Sequence, residues 1–171
     1  DTTSFSYDSL RRLTGITYPG ADSVTLTLND ADQLTAVTDA RGNTTSLSYD
    51  ANGRLTGFID RAGEARLYGY DSSGRLTSVQ RPEGHVVSLG YDSRGLLTTL
   101  QDNLGELMSM DYNALGQLSG ISDSGANRTS FSYDEEGGLT EIRDPDNAHA
   151  QLGLNPTGGL SSIATGTNAL S

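Results

Sequence analysis

Two histidines and one acidic triplet are the residues of this chain whose types and spacing could support catalysis. His85 and His149 each stand alone, and no G-x-S-x-G motif supplies a nucleophile for either of them. The triplet Asp-Ser-Gly at 123–125 has the composition of an aspartic-protease loop. That chemistry needs two carboxylates that share a proton, and the sequence holds no second copy of the triplet. We therefore predict no catalytic residue and no enzymatic activity.

Metal and cofactor sites are not indicated either. Asp-Ala-Asn at 50–52 and Asp-Pro-Asp-Asn at 144–147 space their oxygen atoms as calcium loops do, but neither continues to the glutamate that completes such a loop. The sequence has no cysteine and no phosphate-binding glycine loop. Turn formation explains these Asp- and Asn-rich segments better, so we predict no metal and no cofactor.

The net charge of the chain restricts the classes of partner that it can bind. The net charge is −11, and all eleven basic residues are arginine. Such an acidic surface disfavours binding to nucleic acid and to anionic membranes. No apolar run approaches the roughly 18 residues of a membrane span, so membrane insertion is not expected. Acidic residues interleave with one group of arginines, which predicts cross-strand ion pairs on a solvated face; the arginines are Arg54, Arg61, Arg66 and Arg75.

A repeat of 21 residues covers essentially the whole chain. It is anchored on an aromatic or aliphatic residue that recurs at a constant spacing, without insertion or deletion, in eight copies. The anchors of repeats 1 to 8 are Tyr7, Leu28, Tyr49, Tyr70, Tyr91, Tyr112, Tyr133 and Leu154. We predict that residues 1–171 are a single array of these repeats and a segment of a longer protein.

Several other positions follow the same spacing. Leu stands six residues after every anchor, Gly stands four after it in six copies, and apolar residues stand two before and nine after it in all copies. Arg11 and Asp32 take the place of Gly in the first two repeats. We expect these positions to be structural; the residues selected are Tyr49, Asp50, Gly53, Leu55, Tyr70, Asp71, Gly74, Leu76, Tyr91, Gly95, Leu97, Tyr112, Gly116 and Leu118.

Each repeat has the pattern of a β-hairpin. Residues alternate before the anchor, as in Thr-Ser-Leu-Ser-Tyr at 45–49, which is the period of a half-buried strand. The segment after the anchor has turn residues, a second short apolar segment follows, and another turn closes the unit, each turn with four to six residues. The conserved spacing of three between Leu55 and Phe58 does not fit simple alternation. Either a β-bulge or a Leu packed at the entry of the strand would explain it.

Sixteen short strands and no helix are predicted, so the fold class is all-β. The hairpins could form a continuous antiparallel sheet that spirals, or a propeller with two repeats in each blade. A propeller would show a 42-residue alternation between inner and outer hairpins, and the anchors show none. We therefore favour the continuous sheet, in which the anchor residues form a ladder that stabilises neighbouring repeats.

The motif Tyr-Asp-x-x-Gly-Arg-Leu-Thr, followed by Asp-x-x-Gly, resembles the YD repeat of RHS proteins. Repeats 49–69 and 70–90 match it most fully, including Arg54 and Arg75, and the resemblance spans the chain. Leu28-Asn29 and Leu154-Asn155 depart from the Tyr-Asp pair. The resemblance implies a β-strip that coils into a hollow shell. Family members include bacterial polymorphic toxins, toxin-complex components, wall-associated proteins and the teneurins of animals.

The resemblance also implies a function, namely a structural segment in the wall of a shell that encapsulates or presents a toxin or effector domain. The alternative is an extracellular stalk or adhesin built from the same repeats. The implied partners are neighbouring repeats of a longer chain and an enclosed cargo domain, or components of the cell surface or wall. The implied location is secreted or at the cell surface of a bacterium.

Overall fold

A computed structural model describes residues 2–146, 148–155 and 157–167. The chain forms two compact units, Asp1–Val86 and Val87–Ser171. The strands of the first unit are β1 Ser4–Tyr7, β2 Leu13–Thr17, β3 Ser23–Leu28, β4 Leu34–Thr38, β5 Thr44–Tyr49, β6 Leu55–Ile59, β7 Ala65–Tyr70 and β8 Leu76–Gln80. β9 Val86–Tyr91 begins at the boundary, and the second unit continues with β10 Leu97–Asp102, β11 Gly105–Tyr112, β12 Leu118–Asp123, β13 Arg128–Tyr133, β14 Leu139–Arg143, β15 Ala148–Leu154 and β16 Leu160–Thr167.

Within each unit the strands form an antiparallel sheet in sequence order. β1 to β8 pair successively in the first unit, and β9 to β16 do so in the second. A propeller blade ends after four strands, whereas these sheets continue through eight. The all-β class and the tandem hairpins in an antiparallel sheet are thus confirmed, and the propeller is excluded.

The register within each hairpin explains the spacing of three. Tyr49 lies opposite Leu55 and Leu47 lies opposite Phe58, and the register shifts between Ser48 and Tyr49. The same shift precedes the anchor in every repeat. A β-bulge therefore absorbs one residue of the second strand, and the Leu and the later apolar residue lie on one face. Of the two explanations left open by the sequence, the bulge is the one observed.

The two faces of the sheet differ in side-chain size. The four apolar positions of each repeat share one face, because they are paired directly across the hairpin. The other face has mainly small residues, as in the pairs Ser48 with Gly57 and Gly69 with Ser78. Such small residues leave room for long neighbours: Arg128 of β13 reaches across the Gly120 strand to form an ion pair with Asp111 of β11.

A buried hydrophobic core is absent from the described residues. Leu55, Leu76 and Leu118 are half-buried, as their predicted place in the register requires. Asp50 and Asp71 are half-buried too, because they are hydrogen-bonded into the turns. Leu160, in the last strand, is 56% exposed. A single layer of sheet covers neither of its own faces, so the apolar face is only partly protected from water.

The connections between strands are short. Most contain five residues, within the predicted range, while β10 and β11 are joined by only two. Pro82–Gly84 forms one turn of 3-10 helix, which the sequence did not predict. Glu83 there has a φ of 66°, so the segment is a turn between strands rather than a helix of regular geometry. Helices of the length and apolarity needed to span a membrane are not found among the described residues.

Candidate functional surface at the repeat joints

The Asp and Gly of the repeat motif form a hydrogen-bonded turn. In repeat 3, Asp50 Oδ1 accepts bonds from the backbone amides of Asn52 at 2.9 Å and Arg54 at 3.0 Å. The amide of Gly53 donates to the carbonyl of Asp50, and the amide of Asp50 donates to the carbonyl of Arg54. Gly53 has a φ of 80°, a conformation that glycine adopts without strain. Within the five-residue connection, residues 51–53 form a three-residue hairpin loop that the bond between Asp50 and Arg54 closes and that ends in the left-handed Gly53.

These hydrogen bonds keep the turn carboxylates ionised. The backbone amide of Arg54 lowers the pKa of Asp50, and the Arg54 side chain lowers it further. The equivalent backbone amides act in the same way on the pKa of Asp8, Asp71 and Asp92. A carboxylate of this kind is a permanent hydrogen-bond acceptor and a poor general acid at neutral pH.

Arg54 joins one repeat to the next. Its Nε donates to Asp50 Oδ2 at 2.7 Å within the same turn, and its Nη1 donates to the backbone oxygen of Asp71 at 3.2 Å in the following turn. Its guanidinium also lies over the ring of Tyr70, 4.7 Å from the centroid. We call a side chain that connects successive turns in this way a bridging side chain. For Arg54 and Arg75 the predicted cross-strand ion pairs are wrong, because Arg54–Asp50 and Arg75–Asp71 form within single turns.

Bridging side chains are matched to the residue after the anchor. Where that residue is Asn29, the bridging residue is Gln33, whose Oε1 accepts from Asn29 and whose Nε2 donates to the carbonyl of Gly53 at 3.2 Å. Asn113 and Gln117 repeat this arrangement. In the repeats with a bridging side chain, Asp therefore goes with Arg, and Asn goes with Gln. The pairing was visible in the sequence as two residues at constant spacing, but sequence reasoning missed it.

Tyrosine hydroxyls make a second set of connections between repeats. The hydroxyl of Tyr49 donates to the carbonyl of Leu34, fifteen residues earlier, at 2.8 Å. Three further tyrosines make the same bond at the same distance: Tyr70 to Leu55, Tyr112 to Leu97, and Tyr133 to Leu118. A ladder of anchors was predicted from packing alone, and these hydrogen bonds to the invariant Leu position were not foreseen.

The residues considered for chemistry belong to different turns and strands. His85 is exposed in the turn after β8, and His149 is half-buried in β15. Asp123 Oδ1 accepts from the amides of Gly125 and Asn127, so the Asp-Ser-Gly triplet is an ordinary hairpin turn. Asp144 lies in another such connection, and Asn147 of the same segment is outside the described residues. Three or more side chains arranged to hold a metal ion are not found in the described part of the chain.

The family model named RHS Repeat matches residues 29–65, 49–86, 70–107 and 112–149, which is more than half of the chain. The chain belongs to the RHS-repeat family. The motif residues described above account for this match, because each matched segment includes at least one Tyr anchor and its turn. No curated protein matches the chain in sequence. The expectation drawn from the Tyr-Asp-x-x-Gly motif is thus confirmed at the level of the family.

Solved structures show the same fold at low sequence identity. The crystal structure of TcdB2-TccC3 without its hypervariable C-terminal region aligns with a TM-score of 0.67 at 17% identity, over 90% of this chain and 10% of that one. The Tc holotoxin pore of Photorhabdus luminescens, with a mutated TccC3, aligns with a TM-score of 0.63 at 15% identity, over 94% of this chain and 12% of that one. This chain therefore spans about a tenth of the length of the solved chains that it matches.

Proposed function

We propose that this chain is a wall segment of a shell that encloses or presents a toxin or effector domain of a longer protein. Membership of the RHS-repeat family and the shared fold support a structural repeat segment. The observation that supports enclosure is the apolar face of the sheet, because no buried hydrophobic core covers it among the described residues. A wall that curves around its contents would cover that face and keep it out of bulk water.

The proposed mechanism is sequestration rather than catalysis. Repeats 3 and 4 illustrate the connections, because strand pairing, the hydroxyl of Tyr70 and the bridging side chain Arg54 all join them. A continuous hydrogen-bonded wall excludes proteases and solvent because its backbone groups are already paired. The partners are then neighbouring repeats of the longer chain and the enclosed domain, and the protein is secreted or displayed at a bacterial cell surface.

The test uses the longer protein that contains this array. Electron microscopy should show a hollow particle with density inside, and limited proteolysis should spare the enclosed domain while the particle is intact. Opening the particle with urea should make that domain as sensitive to protease as the isolated domain. A fibre without a lumen, or a domain cleaved equally fast before and after opening, would contradict enclosure and favour the stalk or adhesin.

A further inference from the structure

Among the described residues, no bridging side chain connects the turns of repeats 7 and 8. The position that Arg12 and Arg54 occupy in their repeats is Gly138 in repeat 7. A cavity of about 630 Å³ lies there, lined by the turns of both repeats, including Asp134, Gly138, Leu154 and Asn155. The cavity lies beside Gly138, while the ends of the Leu154 and Asp134 side chains occupy the space that a Cβ at position 138 would enter.

The joint between repeats 1 and 2 shows how such a space is filled. Arg12 Nε donates to Asp8 Oδ2 at 2.7 Å, and Arg12 Nη1 donates to the backbone oxygen of Asn29 at 2.7 Å. A carboxylate on one turn and a carbonyl on the next thus hold the guanidinium between them, and Asp32 Oδ1 also accepts from Arg12 Nη1 at 2.7 Å. Three surrounding residues are the same at the two joints: Asp8 corresponds to Asp134, Leu28 to Leu154, and Asn29 to Asn155. Asp32 differs, because Gly158 takes its place in repeat 8.

Both acceptors have capacity for a guanidinium at the joint between repeats 7 and 8. Asp134 Oδ1 accepts from the amide of Gly138 at 2.6 Å, while Oδ2 receives no hydrogen bond from any described residue. The carbonyl of Asn155 accepts from the amide of Gly158 at 2.9 Å. The carbonyl of Asn29 accepts an equivalent bond from Asp32 and still receives Arg12, because a carbonyl oxygen has two lone pairs.

An arginine can reach the two acceptors of a joint from different positions in the repeat. In repeat 5 the position of Arg12 is taken by Leu96, and Arg94 reaches the same acceptors from two residues earlier. Arg94 Nε donates to Asp92 Oδ2 at 2.9 Å, and Nη1 donates to the backbone oxygen of Asn113 at 2.9 Å. The paired acceptors therefore select the guanidinium group rather than one backbone attachment point.

We propose that the cavity between repeats 7 and 8 binds an arginine side chain supplied by another polypeptide segment. The guanidinium lies as that of Arg94 does, with Asp134 Oδ2 and the carbonyl of Asn155 as its acceptors. Glu136 also lines the cavity and adds negative charge. This assignment is independent of the proposed shell, since it rests on the turns of two adjacent repeats.

The test compares two cationic probes of equal charge. The 15N-labelled chain is titrated with N-acetyl-arginine amide and, separately, with N-acetyl-lysine amide at constant ionic strength. We expect the arginine probe to shift the amide signals of Gly137, Gly138 and Gly158 in a saturable manner, and the lysine probe to act several-fold more weakly. Equal responses to both probes, or shifts spread evenly over the acidic chain, would overturn the proposal.

Three variants sharpen the result. Asp134→Asn should weaken binding about five- to tenfold, because it removes the charged acceptor and keeps its shape. Gly138→Arg should abolish the response by filling the cavity from within, after the ends of the Leu154 and Asp134 side chains rotate away. Asp146→Asn removes the same charge from an exposed turn residue and should leave the titration unchanged. Full binding by Asp134→Asn would overturn the proposal even if Gly138→Arg fails to fold.

Discussion

Replacing Tyr70 by Phe tests whether the tyrosine hydroxyls stabilise the array. The change removes only the oxygen that donates to the Leu55 carbonyl at 2.8 Å, and it leaves the ring beneath the Arg54 guanidinium. A neutral hydrogen bond contributes roughly 0.5–1.5 kcal/mol net. The site is half-buried, so water replaces part of the lost bond, and we expect a loss of about 1 kcal/mol in the free energy of unfolding. For a chain of this length that corresponds to a fall of about 2–4 °C in Tm.

Tyr7→Phe is the matched control. Tyr7 is the anchor of repeat 1, its side chain is 61% exposed, and no hydrogen bond joins its hydroxyl to another described residue. Its replacement should change the free energy of unfolding by less than about 0.5 kcal/mol. Both variants would be followed by urea denaturation and by amide hydrogen exchange in β6 and β7, because repeat arrays can open locally. Equal losses in the two variants, or no loss in Tyr70→Phe, would refute the reasoning.

Three further changes test the turns. Gly74 has a φ of 84°, which a β-branched residue adopts only with strain. Gly74→Val should therefore lower the free energy of unfolding by about 1–2 kcal/mol, and Gly74→Asn should lower it clearly less, as measured by thermal unfolding. The pKa of Asp50 is lowered in the folded chain, so its stabilising contribution is present above its unfolded pKa and is lost as the pH falls through the lowered value. Acid titration followed by circular dichroism should show destabilisation below about pH 4. The loss of stability with falling pH should be less steep in Asp50→Asn than in the unmodified chain. Combining Asp50→Asn with Arg54→Gln recreates the pairing of Asn29 with Gln33, and a double-mutant cycle should show favourable coupling of about 0.5 kcal/mol or more.

The period of the sequence was sufficient to predict the fold. A hairpin with Asp and Gly in its turn is specified by local chemistry, because the Asp50 carboxylate bonds amides only two and four residues away. Eight copies at one spacing leave few arrangements other than a sheet built from successive hairpins. The spacing of Leu55 and Phe58 also indicated a departure from simple pairing. Alternation alone could not say whether a bulge or an unusual Leu produced it, since both satisfy the same pattern.

The connections between repeats required the tertiary structure. Tyr70 meets Leu55, and Gln33 meets Gly53, only because strand order and register bring residues 15 to 20 apart into contact. The same alternation of polar and apolar residues is compatible with many different contacts between repeats. The directions of the side chains in the folded sheet determine which of these contacts form. The cavity at Gly138 is a further case. The lack of a side chain at this position leaves a binding site only if the turns on both sides keep the positions that they have at the other joints.

The sequence by itself determined the unit, namely its length, its hairpin character and the residues of its turns, because these depend on interactions within a few residues. The tertiary structure alone decided which acceptors face each joint and that a cavity lies at the joint between repeats 7 and 8. Asp134 is indistinguishable from Asp8 in the repeat pattern, and both accept a backbone amide in their own turns. They differ because Arg12 spans the joint above Asp8, whereas Gly138 has no side chain to span the equivalent joint and a cavity lies beside Asp134.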